Sequence, residues 1–394
     1  MHFSRCLHRN TVMSQSATQI LHGNAVFTNK LYQILARKPG NVFLSPFSLH
    51  AVLAMLYQSA QGETVEILKN VLELPDAKAT AEAYKWLLDN LKTIENLILH
   101  IANKIYVKRN EEFLEEFEAC VREYFYSELE ALDFGDKAAA VAKLNEWVAH
   151  KTSNKIKEIV REDLINEETA LFLLNVVYFK ANWEEKFHEN DTKVEPFYCN
   201  DGETVDVQMM KGRKKGLYKY DGELQAEVLD LPYKGKRIRM VIILPTEKNG
   251  IQNLEAKLAT RSLIEVIDDN MYEIKAYLSL PKFKFEMSMD LNDILHEMGL
   301  EIIFDDEKAN FLKMLKTGDN LCVGDVFQKA YIDVNEEGSE AAAVTAVRVR
   351  KAKKAFCEEV VNFVVDHPAI FLIVEGTGEN SNVLFCGRLY CPKY

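Results

Sequence analysis

The residues of this chain most suggestive of chemistry are cations near its C-terminal end. Arg348, Arg350, Lys351, Lys353 and Lys354 stand close together with no acidic residue among them. A Lys or Arg side chain is what a trypsin-like protease grips in a pocket with an acidic floor. The run therefore offers a peptide bond for cleavage: chemistry done to the chain, not by it. Read by composition alone, such a run is a solvated surface, and the plain reading is an edge strand leading into a basic loop.

Nothing elsewhere looks catalytic. No GxSxG, HExxH or phosphate-binding P-loop pattern occurs, so an enzyme reading has no residues to stand on. The nine histidines show no metal spacing. Seven cysteines are dispersed, Cys6, Cys120, Cys199, Cys322, Cys357, Cys386 and Cys391, with no CxxC. They read mostly as buried thiols, and a disulfide framework is not expected in so long a chain. No cofactor is expected.

The segment before the basic run is unusual. It reads EEGSEAAAVTAVRVRKAKKAF from Glu336. On a strand, Ser339, Ala341, Ala343, Thr345, Val347 and Val349 share one face, which is small and neutral. Glu340, Ala342, Val344, Ala346, Arg348 and Arg350 share the other, which carries the charge. The segment is suited to two states, an exposed loop and a strand with one buried face.

The elements around it are those of a mixed fold. Helical spacing marks 24–36, 48–58, 63–71, 80–93, 111–124 and 137–152, with Ser45-Pro46 as a start signal. Strand character marks 97–107, 169–179, 227–231, 237–244, 276–285, 322–334, 362–375 and 383–389. No Gly/Pro/Ser-rich linker divides them, which predicts one α+β domain over 20–394 after an N-terminal extension, 1–19. The net charge of −12 argues against a nucleic-acid binder. No apolar run approaches a membrane span. The first residues have no apolar core of a secretory signal.

The sequence VGDVFQKAYIDVNEEGSEAAAVT, 323–345, resembles the hinge of inhibitory serpins. The likeness continues in order through Asn41, Ser45, Pro46 and Ser48, Asn103 to Tyr106, Asn145 and Trp147, and Asn175 to Lys180 with Trp183, Phe187 and Thr192. It goes on through Leu231-Pro232-Tyr233, Leu280-Pro281-Lys282-Phe283, Asp366-His367-Pro368 and Leu384 to Arg388. Four positions depart from the family pattern: Ser59 and Ala181 stand for glycine, Gln328 for histidine and Ala369 for phenylalanine.

The resemblance implies helices packed around three β-sheets, with a reactive-centre loop at about 336–356. It implies a monomer that traps a serine protease covalently, as the cleaved loop inserts into the central sheet. The hinge would be Glu336, Glu337, Gly338, Ser339, Glu340, Ala341, Ala342, Ala343 and Thr345. Family spacing from Gly338 puts the scissile bond after Ala352, and a shift of one residue brings in Lys351 or Lys353. Lys353 is preferred, then Lys351 and Ala352, with Lys354 next in the run. Arg348 and Arg350 would steer an acidic protease, a furin-like convertase being the alternative target. A non-inhibitory carrier or chaperone is the alternative function, and the small hinge residues speak against it.

Arg213, Lys214 and Lys215, with Lys234, Lys236, Arg237 and Arg239, form basic clusters. These read as solvated strand edges or as a heparin-like polyanion site that accelerates inhibition. Asn190 begins a glycosylation sequon. Secretion is the expected localisation, with a nucleocytoplasmic member as the alternative, and regulation of a proteolytic cascade such as immunity the expected setting.

Overall fold

Ser45 starts the most buried helix. Its hydroxyl accepts from the Ser48 N–H at 3.3 Å, Pro46 occupies the first turn, and nearly every side chain that follows is buried. The caps of three other helices are of the same kind: Ser14 to Ala17, Asp76 to Ala79 and Asp136 to Ala139. The structure is a computed structural model, described for residues 13–200, 202–339 and 360–392.

Among these residues the helices are α1 (Gln15–Ala36), α2 (Pro46–Ser59), α3 (Gly62–Val71), α4 (Ala77–Lys92), α5 (Glu115–Phe125), α6 (Lys137–Lys151), α7 (Ile251–Leu258), α8 (Leu263–Asp268) and α9 (Asn292–Leu295). The strands are β1 (Val42–Leu44), β2 (Leu97–Lys108), β3 (Glu128–Leu132), β4 (Leu171–Asn182), β5 (Lys193–Tyr198), β6 (Thr204–Asp221), β7 (Ala226–Pro232), β8 (Ile238–Pro245), β9 (Tyr272–Pro281), β10 (Phe283–Asp290), β11 (Asp325–Asn335), β12 (Gly338–Ser339), β13 (Val360–Val364), β14 (Ala369–Glu375) and β15 (Asn382–Leu389).

The strands form a six-stranded sheet, β10-β11-β12-β4-β2-β3, and a nine-stranded one, β1-β15-β14-β8-β7-β6-β9-β13 with β5 on β6. Of the three sheets expected, the second and third are continuous here because β6 runs through both. It pairs with β9 from Met209 to Tyr218 and with β7 from Leu217 to Asp221. The large core lies between the two sheets and the α1–α5 helices. A smaller one, with Phe172, Leu174, Val176 and Tyr178, lies on the other face of β4 against Leu144 and Val148 of α6.

Several boundaries differ from expectation. The N-terminal extension was expected to reach residue 19, but α1 begins at Gln15, because Ser14 caps it and Ala17 is buried. The strand expected at 276–285 is two, β9 and β10, and so is that at 362–375. Pro281 and Pro368 stand at the breaks, where a missing N–H interrupts a ladder.

Candidate functional site

The centre of the six-stranded sheet has an opening. β11 and β4 pair directly and in parallel from Asp325↔Phe172 to Tyr331↔Tyr178. Above that point they separate, and β12 stands between them, antiparallel to both. Gly338 is opposite Asn182 and Asn335, and Ser339 opposite Ala181 and Val334. The chain has thus begun a strand in the sheet, of which Gly338 and Ser339 lie among the described residues.

Gly338 has φ 150°, a conformation that L side chains rarely adopt, and a Cβ there would lie 2.1 Å from the Ala181 carbonyl oxygen. Only glycine lets the backbone pass so close. Ser339 is fully buried, with its Oγ 2.9 Å from the Tyr233 hydroxyl. Tyr233 stacks on Trp183 at 4.5 Å, and the Trp183 indole N–H donates to the Asn335 carbonyl at 2.9 Å.

The two acids before Gly338 are clamped. The Glu336 carboxylate accepts from Thr192 Oγ1 at 2.7 Å and pairs with Lys282 at 2.9 Å. Burial pushes its pKa up, but the Lys282 and Thr192 hydrogen bonds outweigh that and hold it below the usual range. Glu337 pairs with Lys186. The Phe187 and Trp183 amides donate to the Glu336 and Glu337 carbonyls, both at 2.9 Å. Lys214 in turn holds this 183–187 segment: its ammonium donates to the carbonyls of Glu185 at 2.7 Å and Lys186 at 2.6 Å. Burial lowers its pKa to about 8, with Glu185 pulling it partly back.

Lower in the sheet, polar groups tie β11 to β4. Gln328 Nε2 donates to Asn175 Oδ1 at 2.5 Å and to the Ser45 carbonyl at 3.0 Å, while its Oε1 accepts from the Ser45 N–H at 2.7 Å. Asn175 also donates to Ser48 and Asn103. Gln328 and Asn175 are register partners, so a strand entering between β11 and β4 must break their bond. The departure of Gln328 from the family pattern therefore falls at the latch itself.

The expected hinge residues are split by the limits of the description. Glu336, Glu337, Gly338 and Ser339 are in place as above. Glu340, Ala341, Ala342, Ala343 and Thr345, the steering Arg348 and Arg350, and the scissile candidates Lys351, Ala352, Lys353 and Lys354 lie outside the described residues. Sequence reasoning missed Lys282, Lys186 and Thr192 as hinge partners and gave Trp183 only as part of a family likeness. The signal for Lys282 and Thr192 was the family motifs they sit in, which do not say what touches what.

The basic clusters divide. Arg213, Lys215, Lys234 and Lys236 are exposed. The structure corrects the expectation for three others, whose charges are spent internally. Lys214 is buried on carbonyls. Arg239 is buried between Asp230 at 2.7 Å and Asp268 at 2.5 Å, and Arg237 pairs with Glu375 at 2.8 Å. Asn190 is exposed. His367 is buried, with its ring nitrogens 2.7 Å from Asp366 Oδ1 and the Pro245 carbonyl.

The cysteines also need correcting. Cys199 and Cys391 form a disulfide across 192 positions, joining the end of β5 to the tail after β15. Cys120, Cys322 and Cys386 are free, and burial raises all three thiol pKa values, that of Cys120 to about 11.

The model of the family described as serpin (serine protease inhibitor) matches residues 22–392. This chain is a serpin. It is 34% identical to antitrypsin of Bombyx mori over 89% of this chain and 90% of that one. The serpin superposes on crystalline Serpin48 of the insect Tenebrio molitor with TM-score 0.87 and 31% identity, over 96% of this chain and 100% of that one. It superposes as well on human thyroxine-binding globulin with thyroxine, at TM-score 0.86 and 25% identity, with the same coverage. The same fold therefore occurs both in a protein named antitrypsin and in one that binds thyroxine, so the fold by itself does not fix the function.

Proposed function

We propose that this serpin is a suicide-substrate inhibitor of trypsin-like serine proteases, and that cleavage of its loop lets residues from 340 onward continue the strand begun at Gly338. The observation that carries the reading is β12. Its register with β4, prolonged, sets Ala341 opposite Phe179, Ala343 opposite Val177 and Thr345 opposite Asn175. Prolonged against β11, it sets Thr345 opposite Gln328. Ser339 faces the core between the sheets, and its alternate positions are Ala341, Ala343, Thr345 and Val347. Phe179 and Val177 are fully buried on that face. Side chains this small enter without the overpacking that costs about 1–3 kcal/mol, and each residue gains ladder hydrogen bonds worth about 0.5–1.5 kcal/mol net.

The basic tip supports a trypsin-like target, with Lys353 the preferred residue before the scissile bond. Arg348 and Arg350 would speed encounter with an acidic protease in a salt-dependent way. Four exposed cations, Arg213, Lys215, Lys234 and Lys236, support polyanion acceleration, and inhibition rates flat across added heparin would end that reading. The Cys199–Cys391 disulfide supports secretion, since such bonds persist in oxidising compartments. An exposed Asn190 agrees with it.

Mixing the protein with trypsin tests the mechanism. A band at the summed mass that survives boiling in detergent is expected, with a released C-terminal peptide beginning at Lys354. Clean cleavage without that band would refute trapping of this protease class.

A further inference from the structure

A cleft of about 760 Å³ opens where β6 leaves β7. β6 pairs with β7 only from Leu217 onward, although its pairing with β9 starts at Met209. At Lys215 and Gly216 the strand therefore has a partner on one side only, and the turn after Pro232 borders the gap. Gly216 lets β6 come close to β7 at the edge of the gap, since a Cβ there would lie 2.3 Å from the Asp230 carbonyl oxygen. Tyr272, Ile274 and Leu217 give apolar wall, and Lys215, Lys236 and Lys275 stand on the rim with Glu273.

The charges of this cleft do not cancel. At its floor Arg239 is already satisfied by Asp230 and Asp268. On the rim, the ammonium groups of Lys215 and Lys236 form no ion pair among the described residues. In a protein of net charge −12, four cations, Lys215, Lys236, Lys275 and Arg239, and two carboxylates, Asp230 and Glu273, line the cleft, and the Glu185 carboxylate beside it accepts from the Lys215 backbone N–H at 3.3 Å. The cleft volume falls in the range of about 300–1,000 Å³ typical of small-molecule sites. Of the four exposed cations of this region, Lys215 and Lys236 converge on this opening, while Arg213 and Lys234 do not line it.

We infer that this cleft binds a small organic anion with a flat apolar body, its charged group at Lys215 and Lys236 and its ring against Tyr272 and Ile274. The cleft adjoins the hinge clamp. A neighbouring cavity of about 140 Å³ shares Lys215, Pro232 and Lys236 with the cleft and is lined by Trp183 and Lys214, which hold the hinge clamp.

Titration calorimetry of the whole protein with anilinonaphthalene sulfonate at low salt tests the site. One saturable equivalent is expected, weakened about ten-fold or more in K215A/K236A. Uncharged anilinonaphthalene should bind correspondingly weaker. Leu217→Trp keeps both lysines but fills the cleft, and should lose the probe too. Unchanged affinity in K215A/K236A would overturn the inference, as would equal binding of the uncharged analogue. So would displacement of the probe by an equal concentration of inorganic sulfate, which has no ring. The double variant alters two exposed side chains, so its result stands even if Leu217→Trp fails to fold.

Discussion

Ser339 Oγ and the Tyr233 hydroxyl meet at 2.9 Å inside the core, and this contact anchors β12 between β11 and β4. It joins the hinge to a tyrosine stacked on Trp183, the residue whose backbone N–H holds Glu337. Replacing Ser339 by arginine puts a charge where no solvent reaches, and burying an unpaired charge is among the costliest changes a core can suffer. Ser339→Arg should convert the inhibitor into a substrate, raising the number of inhibitor molecules consumed per protease at least about ten-fold. A denaturing gel of the trypsin reaction reads this, and a variant that trapped as well as the parent would remove strand insertion from the mechanism.

Gln328 is the second control point. Its side chain satisfies a Ser45 N–H, a Ser45 carbonyl and Asn175 at once. Gln328→Ala leaves these buried groups unpaired at about 1–3 kcal/mol each. The native state should lose about 2–4 kcal/mol in total, since partners re-pair in part. The β11–β4 seam should open more easily, so a synthetic peptide of sequence 339–350 should anneal faster. Circular dichroism melts and peptide uptake followed on native gels check both effects. A lower melting midpoint with unchanged uptake would mean Gln328 is only a packing residue.

These two sites show what the sequence made legible. Ser339 was legible as the first small residue of an alternating run, and it is fully buried in β12; the rest of that run lies outside the described residues. Helix α2 was readable from apolar spacing and its Ser45-Pro46 start signal, and α6 from helical spacing alone. By contrast β6, the longest strand, went unseen. Its central stretch, KGRKKG, is charged and glycine-bearing because Arg213 and Lys215 are exposed and Gly216 packs against Asp230. Strand β1 is three residues long, too short for any period. The clamp on Glu336 stayed hidden since Thr192 and Lys282 are far away in sequence, and the Cys199–Cys391 pairing since 192 positions separate its halves.

That disulfide closes most of the nine-stranded sheet into one covalent loop. Joining such distant residues restrains the unfolded chain, for which about 2–4 kcal/mol is typical. The C199S/C391S variant should therefore melt several degrees lower, as about 2–4 °C accompanies each kcal/mol in a domain of 150–250 residues, and somewhat less in this longer chain. Calorimetric scans of the wild type with and without reductant should reproduce the shift, while the double variant should not respond. Equal midpoints throughout would show that the bond adds nothing to the native state.

Lys214 gives the fold an unusual alkaline response. Its folded pKa of about 8 lies below the unfolded value because burial disfavours the charge. Below pH 8 both states are charged, and the folded state carries the full burial cost. Between about pH 8 and 10.4 the folded state has released the proton while the unfolded state still holds it, so this group's contribution to stability rises with pH. The gap corresponds to at most about 3 kcal/mol. Lys214→Met removes the titration and also frees the carbonyls of Glu185 and Lys186 beside the hinge clamp. The denaturant midpoint of wild type should rise relative to that of K214M as pH rises from 7 to about 9.5. Parallel profiles would mean the ammonium is solvated in the folded protein and exerts no pull on the 183–187 segment. That relative rise with unchanged trapping of trypsin would instead confine Lys214 to stability and leave the Glu336 and Glu337 side chains held by Lys282, Thr192 and Lys186.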